Sequence, residues 1–209
     1  VVTGVQTCAL PISTIAVTPV NDLPTGSADT GTVGTSGTLS VAASAGLLAN
    51  DRDVDTGDSL RVSAVNGTEA WVGQAVTLPS GALLRLNADG SYGYDPNGRY
   101  DRLPEGATAT DSFTYTVRDA AGATASATAT ITVRGVNDAP VAADDRVSTG
   151  ENSAFTLSPA QGVLSNDTDP DIGDTRVVSM VNGAASPSFA AKAAATKASM
   201  TSPAFMSRS

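Results

Sequence analysis

The sequence repeats itself, and no other feature limits its fold as tightly. Val20-Asn21-Asp22-Leu23-Pro24 returns as Val136-Asn137-Asp138-Ala139-Pro140, an offset of 116 residues (138 − 22). GLLANDRDVDTGD (Gly46 to Asp58) returns as GVLSNDTDPDIGD (Gly162 to Asp174), and Val65-Asn66-Gly67 returns as Val181-Asn182-Gly183, both at the same offset. Three segments that keep one spacing without a gap identify a tandem array. The period sets the layout. Residues 24–135 form one complete repeat, 14–23 the last strand of a preceding repeat and its linker, and 136–183 the N-terminal part of a second, truncated repeat.

The two ends stand outside the pattern. Val2 to Ile12 back-translates to a common sequencing-library adapter, so residues 1–13 are expected to be an artefact without fixed structure. The sole cysteine, Cys8, lies in that stretch. Residues 184–209 contain no acidic residue but hold the only two lysines, Lys192 and Lys197. This tail is expected to be frame-shifted and without order. The missing initiator Met marks the chain as an expected fragment. The truncated repeat lacks half its strands, so it is expected to be poorly ordered on its own.

Within the complete repeat the local signals are β. Ser112 to Val117 alternates polar and apolar residues, and Ala125, Ala127, Ala129, Ile131 and Val133 alternate with Ser and Thr. Both patterns predict half-buried strands. Ala82–Leu86 and Ser91–Tyr94 flank Asn87–Gly90, whose Asp89-Gly90 pair is a hairpin signal. No segment carries a long helical period. Several short strands in roughly 110 residues predict an all-β, Ig-like two-sheet sandwich, repeated in tandem.

Composition removes several functions. The 209 residues carry 21 acidic against 12 basic side chains, a net charge of −9, which argues against nucleic acid. With no histidine, the commonest general base and transition-metal ligand is absent. One cysteine makes no internal disulfide. No apolar run reaches ~18 residues, and no basic, apolar leader begins the chain. Aromatics are only 4%, so the core is expected to be thin.

The densest chemistry is one loop in each repeat: Asn50, Asp51, Asp53, Asp55 and Asp58, then Asn166, Asp167, Asp169, Asp171 and Asp174. Alternate spacing in an extended loop turns carboxylates to one side. Clustered carboxylates repel one another, and a cation removes that cost. Ca²⁺, with about 6–8 oxygen ligands, suits the set. The four Asp positions persist while neighbours differ, as with Arg52 against Thr168. The alternative is a solvated acidic turn that keeps a sheet edge soluble. An EF-hand does not fit, because Gly57 comes one place late and Val62 stands where a bidentate Glu belongs. The linker is a second candidate: Asn137 and Asp138, with Asn21 and Asp22 before them, can share a cation with an adjoining loop. Asp111, Asp119, Asp144 and Asp145 are further candidates. Pro140 stiffens the joint, so a metal-free rigid spacer is the alternative there.

These motifs resemble the cadherin-like and VCBS-type repeats of large bacterial surface proteins and RTX-type adhesins. The residues that carry the resemblance are GLLANDRDVDTGD, LNADGSYGYDP (Leu86 to Pro96), DSFTYTVRDAAG (Asp111 to Gly122) and the VNDAP linker, within Thr14 to Gly183. The resemblance implies an Ig-like sandwich, calcium binding, and adhesion or surface extension after export. Cadherin linkers read DxNDNxP. Arg134 and Ala139 depart from that pattern, which favours the loop over the linker as the metal site.

The function so predicted is a non-catalytic calcium-binding module of a secreted or cell-surface adhesin. Its partners would be the neighbouring repeats and a cell-surface protein or glycan, with no nucleic acid and no membrane insertion. The alternative is an accessory, carbohydrate-binding module of an extracellular hydrolase. For that reading the aromatics are Trp71, Tyr92, Tyr94, Tyr100 and Tyr115, but Tyr92, Tyr94 and Tyr115 sit at strand spacing and suit a core. Catalysis by the aspartates fits poorly. A glycosidase separates two carboxylates by about 5–9.5 Å across a cleft, whereas these crowd one turn.

Overall fold

A computed structural model of the chain describes residues 18, 20–148, 150, 156–181 and 184–185. The expected adapter at 1–13, most of the expected preceding strand at 14–20 and nearly all of the tail at 184–209 lie outside the described residues.

Eight strands build the complete repeat: β1 Asp29–Gly34, β2 Leu39–Val41, β3 Arg61–Val65, β4 Ala75–Thr77, β5 Leu83–Leu86, β6 Tyr92–Asp95, β7 Thr108–Arg118 and β8 Thr124–Arg134. They form two four-stranded sheets, ordered β1-β8-β7-β3 and β2-β6-β5-β4. The chain is therefore an all-β sandwich, as its alternating pattern predicts. The alternating segments 112–117 and 125–133 extend into two 11-residue strands paired from Thr108↔Arg134 to Arg118↔Thr124. β1 joins the same sheet by pairing parallel to β8, a connection that no local signal announces. No helix among the described residues is long and apolar enough to cross a membrane.

The core lies between the sheets. Leu84, Leu86, Tyr92 and Tyr94 of one sheet face Val62, Val65, Phe113, Tyr115, Val117, Ile131 and Val133 of the other, all buried. Four aromatics, Tyr92, Tyr94, Phe113 and Tyr115, are buried here; Tyr92 and Phe113 meet edge to face at 6.2 Å. A register shift between Val62 and Ala64 turns Ala64 and Val65 inward together, the usual effect of a bulge.

Two close backbone approaches place the ends of the sandwich. Leu47 N–H donates to Gly90 O at 3.0 Å, and a Cβ on Gly46 would collide with that same carbonyl. The segment leading into the acidic loop is thus clamped to the β5–β6 hairpin. At the opposite end a Cβ on Gly135 would overlap the carbonyls of Leu103 and Pro104, so glycine lets the chain leave β8 against the 103–107 loop.

Past Pro140 the described residues contain a 3-10 turn, Pro159–Gln161, and a short antiparallel pair, β9 Met180–Val181 and β10 Ala184–Ala185. They contain no counterpart of the two four-stranded sheets.

Candidate metal centre

Three chain segments meet at the N-terminal end of the complete repeat. Thr25 and Arg52 exchange backbone hydrogen bonds at 2.7 and 3.0 Å, and Ser27 N–H donates to Asp51 Oδ1 at 2.7 Å. These bonds tie the loop's entry to the linker. Asp53 Oδ1 then accepts from Asp55 N–H at 2.8 Å, Asp55 O accepts from Asp58 N–H at 3.2 Å, and Gly57 takes φ +87°. A left-handed residue is needed there to reverse the chain, and glycine supplies it without a Cβ penalty. The reversal turns Asp53 and Asp58 toward Asp119, which sits in the β7–β8 turn. The three residues offer carboxylate oxygens that all lie within 4.8 Å of one another.

Asp119 is only 1% exposed, yet its acidity is increased. The Asn21 amide donates to Oδ2 at 2.9 Å, and Gly122 and Ala123 N–H donate to Oδ1 at 2.5 and 2.7 Å. The Asn21 bond is the largest cause of the lowered pKa. Hydrogen bonds to the charged form keep this carboxylate ionised. Asp53 Oδ2, in contrast, is buried with no partner. An uncompensated buried carboxylate oxygen among two other carboxylates is costly unless a cation completes it. The donor set, all oxygen, fits a hard cation such as Ca²⁺.

The second loop repeats the hydrogen bonds that shape the first, but with a different set of carboxylates. Val141 and Thr168 exchange backbone bonds at 2.8 and 2.9 Å, Ala143 N–H donates to Asp167 Oδ1 at 2.9 Å, and Asp171 N–H donates to Asp169 Oδ1 at 3.0 Å. Gly173 again has φ +87°. Here Asp169, Asp171 and Asp174 bring oxygens within 4.8 Å. Asp171 is 3% exposed, and its Oδ1 is buried without a partner. Sequence reasoning does not anticipate Asp101. This loop abuts the first repeat, where Ile172 N–H donates to Arg102 O at 3.2 Å. Burial raises the Asp138 pKa, and Asp171, Asp101 and Asp169 add to it in that order. Asp101 thus belongs to the electrostatic surroundings of the linker, although its loop carries no repeated motif.

Other candidates do different work. Asn50 and Asn166 donate their amides to Ala28 O and Asp144 O at 3.1 and 3.2 Å, fastening each loop to its linker strand. Asp55 Oδ2 and Asp171 Oδ2 each accept a linker N–H at 2.8 Å, from Asp22 and Asp138. Asn137 donates to Asp138 O at 2.8 Å. Asp111 is not brought to either cluster: Ser80 and the Tyr94 hydroxyl hold its Oδ2 at 2.6 and 2.8 Å. Asp51 turns inward to Tyr115, which also donates toward Asp29 Oδ2 at 2.7 Å. Burial pushes both carboxyls up, first among the causes. Asp145 and Asp167 stand at the equivalent positions of the second repeat, and the Oδ2 of each is buried with no partner.

A family model for a bacterial cadherin-like domain matches residues 21–135, more than half of the chain. One for a bacterial Ig domain matches residues 137–204, which runs beyond Gly183. No curated protein matches. Among solved structures, a nucleoside hydrolase-related hypothetical protein from Saccharophagus degradans, associated with carbohydrate metabolism, aligns with 56% of this chain and 26% of its own. The identity is 17% and the TM-score 0.33, too slight a likeness to carry an argument.

Proposed function

The chain belongs to the bacterial cadherin-like domain family, and on that footing we propose that it is a non-catalytic, calcium-binding repeat module of a large exported adhesin. Calcium neutralises the acidic loops and stiffens the tandem array, so that a distal part of the parent protein reaches a surface. The observation that carries the calcium reading is the pair of orphaned oxygens, Asp53 Oδ2 and Asp171 Oδ1, each buried in a three-carboxylate cluster. Asp53, Asp58 and Asp119 would hold one ion, with Asn21 orienting Asp119. Asp169, Asp171 and Asp174 would hold another beside the linker. The ion would supply the positive charge that three crowded carboxylates lack.

The same crowding weighs against catalysis. Oxygens all within 4.8 Å of one another suit chelation better than a division into acid and base. Thermal melting in calcium and in chelator tests the reading. Free calcium at about 100 times its dissociation constant is expected to stabilise the fold by roughly 2.7 kcal/mol per site. Superimposable melts would refute it.

A further inference from the structure

A groove of different chemistry lies on the flank of the first repeat. β3 is the edge of one sheet and β4 the edge of the other, and among the described residues no strand closes the gap between them. The 3-10 turn Glu69–Trp71 crosses it. A groove of ≈ 430 Å³ remains, with the partly buried Trp71 as its aromatic wall and Phe113 and Leu78, each 2% exposed, in its lining. Its polar lining comes from Asn66, Thr77, Ser112 and Thr114. Asn66, held at φ +45°, accepts from Thr114 N–H at 2.8 Å through Oδ1. Its amide N–H₂, the hydroxyls of Thr77 and Ser112, and the Trp71 indole N–H have no hydrogen-bond partner among the described residues.

We propose that this groove binds a neutral saccharide. The inference stands apart from the calcium reading and rests on the lining itself. No charged side chain lines the groove, although the chain carries a net charge of −9. An indole beside apolar side chains accepts the C–H face of a sugar ring. The unused donors and hydroxyls around it match ring hydroxyls, which both give and take hydrogen bonds. A charged ligand would find no counter-ion there, and an apolar one would strand those polar groups. The location fits display along an array. Phe113 pairs with Ala129 midway along the β7–β8 ladder, whereas the acidic clusters occupy the end of the repeat. Stacking repeats end to end leaves the flank open.

Trp71 is the only tryptophan, so its fluorescence reports on the groove alone. The full chain is titrated with neutral gluco-, manno-, galacto-, xylo- and N-acetylglucosamine oligosaccharides, in calcium and in chelator. At least one is expected to give a saturable shift that is the same in both media. Ser112→Glu and Thr77→Glu change exposed rim residues on different sheets, and each is expected to weaken that binding about tenfold or more without moving the melting temperature. No saturable response up to about 10 mM, a response confined to acidic saccharides, or one that both variants retain would overturn the proposal.

Discussion

Tyr115 has one hydroxyl proton and five oxygen neighbours: Asp29 Oδ2 at 2.7 Å, Ser27 O at 2.9 Å, and Leu47 O and both Asp51 carboxylate oxygens at 3.3 Å. All five are acceptors in their ionised or carbonyl forms. One proton cannot serve all five; Ser27 N–H also serves Asp51 Oδ1, and burial, first among the causes, raises the pKa of Asp29 and Asp51. A raised carboxyl binds its proton more readily folded than unfolded, so its ionisation costs stability as pH rises through that range. Asp29→Asn is therefore expected to raise the melting temperature in chelator at neutral pH, with the gain shrinking as pH falls toward about 4. Asp119 has the opposite sign. Its lowered pKa contributes stability above the unfolded-state value, which is lost as pH falls through the folded one. Asn21→Ala removes the largest cause of that lowering. It is expected to weaken calcium binding about 10- to 100-fold in a chelator competition, the usual cost of losing a partner that orients a ligand.

Among the elements, the first acidic loop is clamped at its root, and the second, among the described residues, is not. Gly46 lies against Gly90 O so closely that a methyl group has no room, whereas the nearest atom to a Cβ on Gly162 is Ser158 O at 3.5 Å. Gly46→Ala is expected to destabilise the complete repeat by about 1–3 kcal/mol in denaturant unfolding, and Gly162→Ala to be close to neutral. Much at this scale is legible in the sequence. Alternation marks β7 and β8, Asp89-Gly90 marks the hairpin, and the strand spacing of Tyr92, Tyr94 and Tyr115 marks their burial. What is not legible depends on distance along the chain. Asp119 reaches Asp53 only because an 11-residue ladder carries its turn to the same end of the sandwich. Asp51 looks like its neighbours in the sequence, and only the fold turns it inward to Tyr115. Asp101 lies in no segment that the sequence shows twice.

For the whole molecule, the 116-residue offset visible in the sequence reappears in space as matched backbone bridges, Thr25 with Arg52 and Val141 with Thr168. The acidic cluster of the second loop sits against the first repeat, through Ile172 N–H and Arg102 O. Without a bound cation, the charges of Asp171, Asp101 and Asp169 bear on Asp138 across the joint. Small-angle scattering is accordingly expected to show a stiffer, longer particle in calcium than in chelator. The most direct test of the two proposed metal sites is a calorimetric calcium titration of the whole chain beside Asp53→Asn, Asp171→Asn and the double variant. Saturable binding that each single change reduces and the double change abolishes is the expected result. Absence of saturable heat in the unchanged chain, or an undiminished titration in the double variant, would contradict it.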